Sequence, residues 1–316
     1  MDNTCEIILA GAGIIDIPVV PFDAAASAYS VPHDRITMNP GGDALNEALV
    51  LGALGKKVRL ISRIGDDDAA DYLLSRCEKA GVDTTCVTRA PEIDTGINVV
   101  LVDEAGERRF LTNRNGSLRK LELSDFTPEA MQGGRIFCFA SIFVFPLLGV
   151  PEMAEIFRRA GRNGMIVCAD TTMPKNHETL EELAPALQYV DYLFPNLAEA
   201  RAVTGLTDPH EITQAFCDAG VKTVVLKCGR DGCLLRNAEG EITVPGYPAR
   251  CIDTTGAGDN FVAGFLCAKL DGKSDIECAR YANAVASVCV ESVGASTGVR
   301  SRALPDERYA KLLERK

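Results

Sequence analysis

The sequence predicts an α/β fold: a mostly parallel central sheet flanked by helices on both faces, with a small β-sheet lid. Three observations carry this. Short apolar runs alternate with amphipathic stretches along most of the chain, as in strand–helix units whose sheet is covered on both faces. Residues 95–102 and 108–112 break that rhythm and read as two strands joined by a turn at 103–107. No linker, low-complexity tract or internal repeat divides the chain. A single domain over residues 1–316 is therefore expected, with the lid at about 14–38 and 93–114.

In chain order, residues 6–12 read as a strand. Residues 43–55 read as a helix, with Ala44, Leu45, Ala48 and Leu49 on one face and Gly55 as its stop. A strand at 58–62 and a helix at 67–80 follow, the latter closed by Gly81. Later strands are expected at 135–140, 165–169, 189–194 and 223–227. Helices are expected at 151–163, 178–187 and 197–204. Strands at 14–20 and 36–38 are expected to pair with the hairpin, and the small, polar segment 24–30 reads as a loop of the lid.

A chain of 316 residues can bury a sizeable core without staples. Its formal net charge of -11 removes the basic face that nucleic acid or an anionic membrane attracts. An anionic ligand would need local backbone donors or bound cations. Residues 1–6 carry no basic n-region or long apolar run, so no signal peptide is expected. No apolar stretch approaches the ~18 residues that suggest a membrane span. The 12 cysteines include no Cys-x-x-Cys pair. Cys138, Cys168, Cys267 and Cys289 fall inside apolar runs, which reads as buried reduced thiols of a cytoplasmic protein.

The segment Asp253-Thr254-Thr255-Gly256-Ala257-Gly258-Asp259 follows an expected strand end and leads into an apolar helix, 261–270. Glycines at 256 and 258 let backbone N–H groups converge without Cβ obstruction. A helix N-terminus adds its positive dipole end. Together they form an anion hole suited to phosphate. Asp259 stands beside it, where a carboxylate can take a proton from an attacking hydroxyl. Phosphoryl transfer asks a protein mainly for such positioning and charge stabilisation. A glycine-rich turn with Asp259 as an ordinary helix N-cap has the same sequence, and the two readings are compatible.

Here the sequence resembles the ribokinase/PfkB family of sugar kinases. Residues 253–261 match the family's C-terminal signature throughout. Gly41-Gly42, Asn46, Ala48, Leu54, Gly55 and Gly65-Asp66-Asp67 fit its N-terminal signature, and Asn196-x-x-Glu199 a third. The resemblance implies a ribokinase-like fold and ATP-dependent phosphorylation of a hydroxyl on a small sugar or sugar acid. Asp259 would be the base. The backbone of Gly256, Ala257 and Gly258 would hold the charge on the transferred phosphoryl group. Asp16, Gly41, Gly42 and Asn46 would bind sugar hydroxyls. Asn196 and Glu199 would organise Mg2+ and the ATP phosphates through waters. Lys227, Gly229 and Gly232 would shape the nucleotide site, with Asn283 near the adenine. Asp253 and Thr255, with backbone from 294–298, resemble a monovalent-cation site, which makes K+ a further candidate. Dimerisation through the lid is common among such relatives, so a homodimer is expected.

The bland alternatives are specific. Asp16 can be a loop carboxylate, Asn46 a satisfied helix asparagine, and Asn196 with Glu199 a capping box. Gly11-Ala12-Gly13 fails as a dinucleotide fingerprint because position 16 is Asp16. Asp271-Gly272-Lys273-Ser274 fails as a P-loop because position 267 is Cys267. Asp66, Asp67, Asp68 and Asp71 lack calcium-loop spacing and read as acids opening a helix. Arg108 and Arg109 read as solvated hairpin charges. A nucleoside kinase of the same fold shares every motif, and aromatic residues in the lid and near Phe143 or Phe145 would discriminate. A non-catalytic sugar-binding relative would be expected to lose Asp259 or the glycines. The run 140–145 offers no acid to contact a sugar, and whether Asp43 faces the pocket is open.

Overall fold

The computed structural model describes residues 5–20, 22, 35–103 and 108–314. The chain opens with β1 (Ile7–Ala10), β2 (Ile14–Val20), β3 (Arg35–Ile36), β4 (Asn39–Gly41), α1 (Asp43–Ala53), β5 (Val58–Ile64) and α2 (Asp68–Lys79). Four strands follow: β6 (Val87–Arg89), β7 (Ile97–Val102), β8 (Arg108–Thr112) and β9 (Ile136–Phe139). Helices and strands then alternate through α3 (Val150–Arg162), β10 (Ile166–Asp170), α4 (Leu180–Leu187), β11 (Tyr192–Phe194), α5 (Leu197–Thr204), α6 (Pro209–Asp218) and β12 (Thr223–Lys227). A hairpin of β13 (Cys233–Asn237) and β14 (Gly240–Val244) precedes α7 (Ala257–Leu270), α8 (Asp275–Cys289) and α9 (Ala303–Glu314).

The larger sheet has the order β14–β13–β12–β11–β10–β9–β1–β5–β6. Pairings from β6 across to β12 are parallel, and the two beyond, β12–β13 and β13–β14, are antiparallel. Side chains alternate along each strand. Ile7 and Leu9 of β1 therefore join one core with α1, α7 and α8, while Ile8 and Ala10 join another with α3, α4 and α6. Both faces are covered, and every residue of β1 and β9 is buried. That is why these strands read as unbroken apolar runs.

The small sheet is separate. Its order is β3–β2–β7–β8, with β4 added on β2. β7 and β8 pair antiparallel from Asn98↔Thr112 to Val102↔Arg108, which is the expected hairpin. The loop at 24–30, turn residues 104–107, the Arg108 side chain and N-terminal residues 1–4 lie outside the described residues.

Two differences from expectation have physical causes. The strand expected at 189–194 begins only at Tyr192, because Tyr189 and Val190 still donate to Ala186 and Leu187 of the unwinding α4. Helices α6, α8 and α9 and the β13–β14 hairpin occupy sequence left unassigned. α8 packs between α7 and α9 and buries residues on every side, so it shows no single apolar stripe. The 12 cysteines are all free thiols. Among the described residues no helix is long and apolar enough to cross a membrane.

This topology fixes where a ligand can sit. Parallel strands send their carboxyl ends to one edge of the sheet, so β10, β11 and β12 end together. The strand order reverses at β1, which pairs with β5 on one side and β9 on the other. Ligand sites of open α/β sheets lie at such ends and switch points.

Candidate active site

The turn into α7 depends on Gly256, its N-cap, at φ +73°. A Cβ there would stand 2.5 Å from the Cα of Ala295, so glycine is required. No side chain caps this helix. Asp259 is therefore not the cap but the third residue of the helix. Of the three expected anion-hole residues, Ala257 already donates its N–H to the Thr254 carbonyl at 3.2 Å.

Asp259 is buried and accepts a hydrogen bond from Nδ2 of Asn46 at 2.7 Å. Burial pushes its carboxyl up to about 6. The Asn46 bond and the Lys227 ammonium oppose that rise, while the Asp170 charge adds to it. A base tuned to this range is ionised at neutral pH yet basic enough to take a hydroxyl proton.

The carboxyl ends of β10, β11 and β12 converge on the same place. Lys227 Nζ donates to both carboxylate oxygens of Asp170, at 2.7 and 3.0 Å. Asn196 and Glu199 form the capping box of α5: Asn196 Oδ1 accepts from Glu199 N at 3.0 Å, and Glu199 Oε2 accepts from Asn196 N at 2.9 Å. Glu199 Oε2 also accepts from Thr171 Oγ1 at 2.8 Å, which ties α5 to the end of β10. Desolvation raises the Asp170 and Glu199 carboxyls, with Lys227 opposing. The Lys227 ammonium, by contrast, is held above its ordinary value by Asp170 and Glu199 despite burial.

One cavity of about 630 Å³ unites these groups. Asn196, Glu199, Lys227, Gly229, Gly232 and Asn283 all line it, as do Ala257, Gly258 and Asp259. Its volume lies within the ~300–1,000 Å³ of small-molecule sites. Ala286 and Val290 give it an apolar stretch. Asn283 is held by donating to the carbonyls of Val244 and Pro245. A cationic, N–H-rich end and an apolar end with one amide fit a nucleoside triphosphate.

The other expected residues cluster beside the small sheet. Asp16 pairs with Asn39 across β2 and β4. A Cβ on Gly41 would stand 2.1 Å from Asp16 Oδ2, so the carboxylate lies over a residue that must be glycine. Gly42 is the N-cap of α1, with no side-chain cap hydrogen bond among the described residues, and Asn46 follows in that helix. Asp16 Oδ1 accepts from Asn98 Nδ2 at 3.2 Å, and Thr112 Oγ1 donates to Asn98 Oδ1 at 2.7 Å. These residues do not border the 630 Å³ cavity; Asn46 reaches it through Asp259. Asp253 closes its own loop: Oδ1 accepts from Thr255 N and Oγ1, and Oδ2 from Gly294 N. Among the described residues no cluster of three or more His, Cys, Asp or Glu is disposed to hold a metal ion.

The profile of the pfkB family carbohydrate kinases matches residues 12–302. The chain belongs to this family. It is a phosphotransferase acting on an alcohol group. Over 269 residues this kinase is 29% identical to a ribokinase of Haemophilus influenzae, covering 83% of this chain and 84% of the relative. It is 27% identical over 280 residues to 2-dehydro-3-deoxygluconokinase of Escherichia coli, covering 81% and 89%. The solved structure of Arabidopsis thaliana ribokinase complexed with ribose and ATP superposes with a TM-score of 0.81 at 24% identity, covering 99% of this chain and all of that one.

Four polar residues of the kinase escaped the sequence reading or were left open by it. Asp170 ends the apolar run of β10, and a lone acid at a parallel strand's carboxyl end was the available signal. Asp43 lines the cavity, and desolvation with the charges of Asp259 and Asp170 raises its carboxyl well above the ordinary range. Glu47 is fully buried in α1, where, among the described residues, Oε1 has no partner and Oε2 accepts only a Cys138 thiol at 3.7 Å. Ser141 follows β9 at the switch point with φ +56° and a buried hydroxyl that has no partner among the described residues. Strain of that kind in a non-glycine residue gathers at functional sites.

Proposed function

We propose that this kinase transfers the terminal phosphate of ATP to a hydroxyl of a small sugar or sugar acid, with Asp259 as the general base. One observation carries the reading. A buried carboxylate with its pKa raised to about 6 sits in the first turn of a helix whose N-terminus opens, through Gly258, into a nucleotide-sized cavity. Asp259 would take the hydroxyl proton, while the backbone of Gly256 and Gly258 would meet the charge on the phosphoryl group, the Ala257 N–H being engaged with Thr254. Asp16, Gly41, Gly42 and Asn46 would hold the acceptor. Asp16 suits a diol, because a carboxylate accepts two charge-assisted hydrogen bonds.

The nucleotide would occupy the cavity of Asn196, Glu199, Lys227, Gly229, Gly232 and Asn283. Glu199 and Asn196 would hold Mg2+ through waters, since both already spend bonds on the α5 cap. Magnesium held there would supply positive charge to offset that of the phosphates. Asp253 and Thr255 border the loop where K+ would bind. The small sheet would form a lid over the acceptor. Asn98 and Thr112 of that sheet, bonded in series to Asp16, support it.

A sugar is favoured over a nucleoside. Phe145 is buried and stacked on Phe139 at 5.6 Å, and Phe143 is also buried. Neither borders the 630 Å³ cavity, and both line a separate one of about 450 Å³. Retention of Asp259 and both glycines speaks against a non-catalytic relative. The homodimer expectation is supported by Ile36, Met38, Phe110 and Leu111, apolar and exposed on the small sheet; light scattering at micromolar concentration tests it, and a monomeric mass would count against it. A cytoplasmic location accords with 12 free thiols.

An ADP-release screen over sugars, sugar acids and nucleosides, with Mg2+ and K+ present, tests the function. Turnover confined to sugars or sugar acids is expected. Turnover with nucleosides alone would overturn the acceptor assignment.

A further inference from the structure

Lys227 places a buried charge beside the anion hole. Its side chain is 11% exposed and that of its partner Asp170 is 3% exposed. Both ends are fixed by backbone: Lys227 N donates to the Pro195 carbonyl at 2.8 Å, and Thr171 N donates to Asp170 Oδ1 at 2.8 Å. An ammonium has three N–H donors. Two go to Asp170, and among the described residues the third has no protein acceptor. Nζ lies 3.4 Å from where a Cβ on Gly258 would stand, so the charge is against the first turn of α7.

Stability is a poor explanation for this pair. Buried ion pairs rarely repay their desolvation, and Glu199 and Asp259 add further carboxylates around the same ammonium. A negatively charged ligand brought in here would need a positive partner. The helix end is also short of a donor, because Ala257 N–H is committed to Thr254.

We propose that Lys227 contacts the phosphoryl group during its transfer, and that Asp170 acts through Lys227 as a positioning residue rather than as a metal ligand. The inference rests on the phosphotransfer reading above. Asp170 holds two N–H groups of the ammonium and leaves one for a phosphate oxygen beside Gly258. The acceptor oxygen bonds to phosphorus as the bond from phosphorus to the ADP oxygen breaks. The acceptor's proton goes to Asp259, and Lys227 keeps its protons throughout.

The test compares Lys227→Met, Asp170→Asn and the double variant with the wild type. Calorimetry measures binding of ADP and of the non-hydrolysable β,γ-imido analogue of ATP, and ADP release measures kcat. Lys227→Met is expected to keep ADP affinity within about 3-fold, weaken the analogue about 10-fold, and lower kcat about 100-fold. Asp170→Asn shifts all three in the same direction. Added to Lys227→Met, it changes nothing by more than about 2-fold, because a residue acting only through Lys227 has nothing left to position. Equal weakening of ADP and analogue by Lys227→Met would overturn the phosphoryl contact. A further loss of kcat in the double variant, or a large rise in the Mg2+ needed for half-saturation with Asp170→Asn, would make Asp170 a metal ligand instead. Either single variant leaves a buried charge unpaired, so melting curves accompany each. The double variant removes both charges. If only it folds, its analogue-to-ADP affinity ratio decides: a lost preference supports the contact and a retained one overturns it. The binding arm needs no acceptor, so failure to find a sugar substrate would sink the acceptor assignment and leave this test standing.

Discussion

Asn46 donates to the carboxylate of Asp259 at 2.7 Å across 213 residues of sequence. One bond thus joins α1, beside the Asp16 and Gly41 cluster, to the first turn of α7 at the nucleotide cavity. The amide oxygen of the same side chain, Asn46 Oδ1, is buried and has no partner among the described residues, which leaves an acceptor for a substrate hydroxyl. Asn46 supports the ionised form of the base and opposes its rise. Asn46→Ala should therefore move the acid limb of kcat/KM to higher pH by roughly one unit, the scale of a charge-assisted hydrogen bond. An unmoved limb would detach Asn46 from the base.

The wild-type pH profile follows from the same carboxyl. Asp259 must be ionised to accept a proton, and its pKa is raised to about 6. Activity should rise with pH through about 6 and fall roughly tenfold per unit below it. A limb near 4 would mean that the carboxylate is solvated as an ordinary aspartate.

Gly41 and Asp16 form a second pair. The Gly41→Ala methyl would collide with Asp16 Oδ2. Both Gly41→Ala and Asp16→Ala should raise the acceptor KM by ~10-fold or more while leaving ATP-analogue binding within about 2-fold. Equal loss of nucleotide affinity would place Asp16 elsewhere.

Glu47 bears on stability. Burial, with the charges of Asp170 and Asp259, raises its carboxyl well above the ordinary range. The folded state then binds a proton that the unfolded state has released. Stability is lost as pH climbs above the unfolded value near 4.5. Glu47→Gln removes this cost. It should raise the melting temperature by several degrees at pH 8, with the gain shrinking toward pH 4. A destabilised variant at pH 8 would show that Glu47 is ionised and paired in the fold.

Residues whose chemistry is local were legible in the sequence. Gly256 and Gly258 announce a helix start that must be open, and Asn196 with Glu199 announces a cap; both stand where expected. The alternation of strands and helices was legible for the same reason. What stayed hidden depends on distant partners. Asp170 looks like any acid at the end of a strand until Lys227, 57 residues on, is seen to bind it. Glu47 looks like a polar helix residue until α7 and β9 close over it. α8 lacked a readable stripe because neighbours cover it on several sides.

The most direct test is Asp259→Asn in a coupled ADP-release assay with the best acceptor. The substitution preserves shape and removes the proton acceptor. Turnover should be abolished while calorimetric ATP-analogue binding and the melting curve stay close to wild type. Turnover near the wild-type rate would contradict Asp259 as the base.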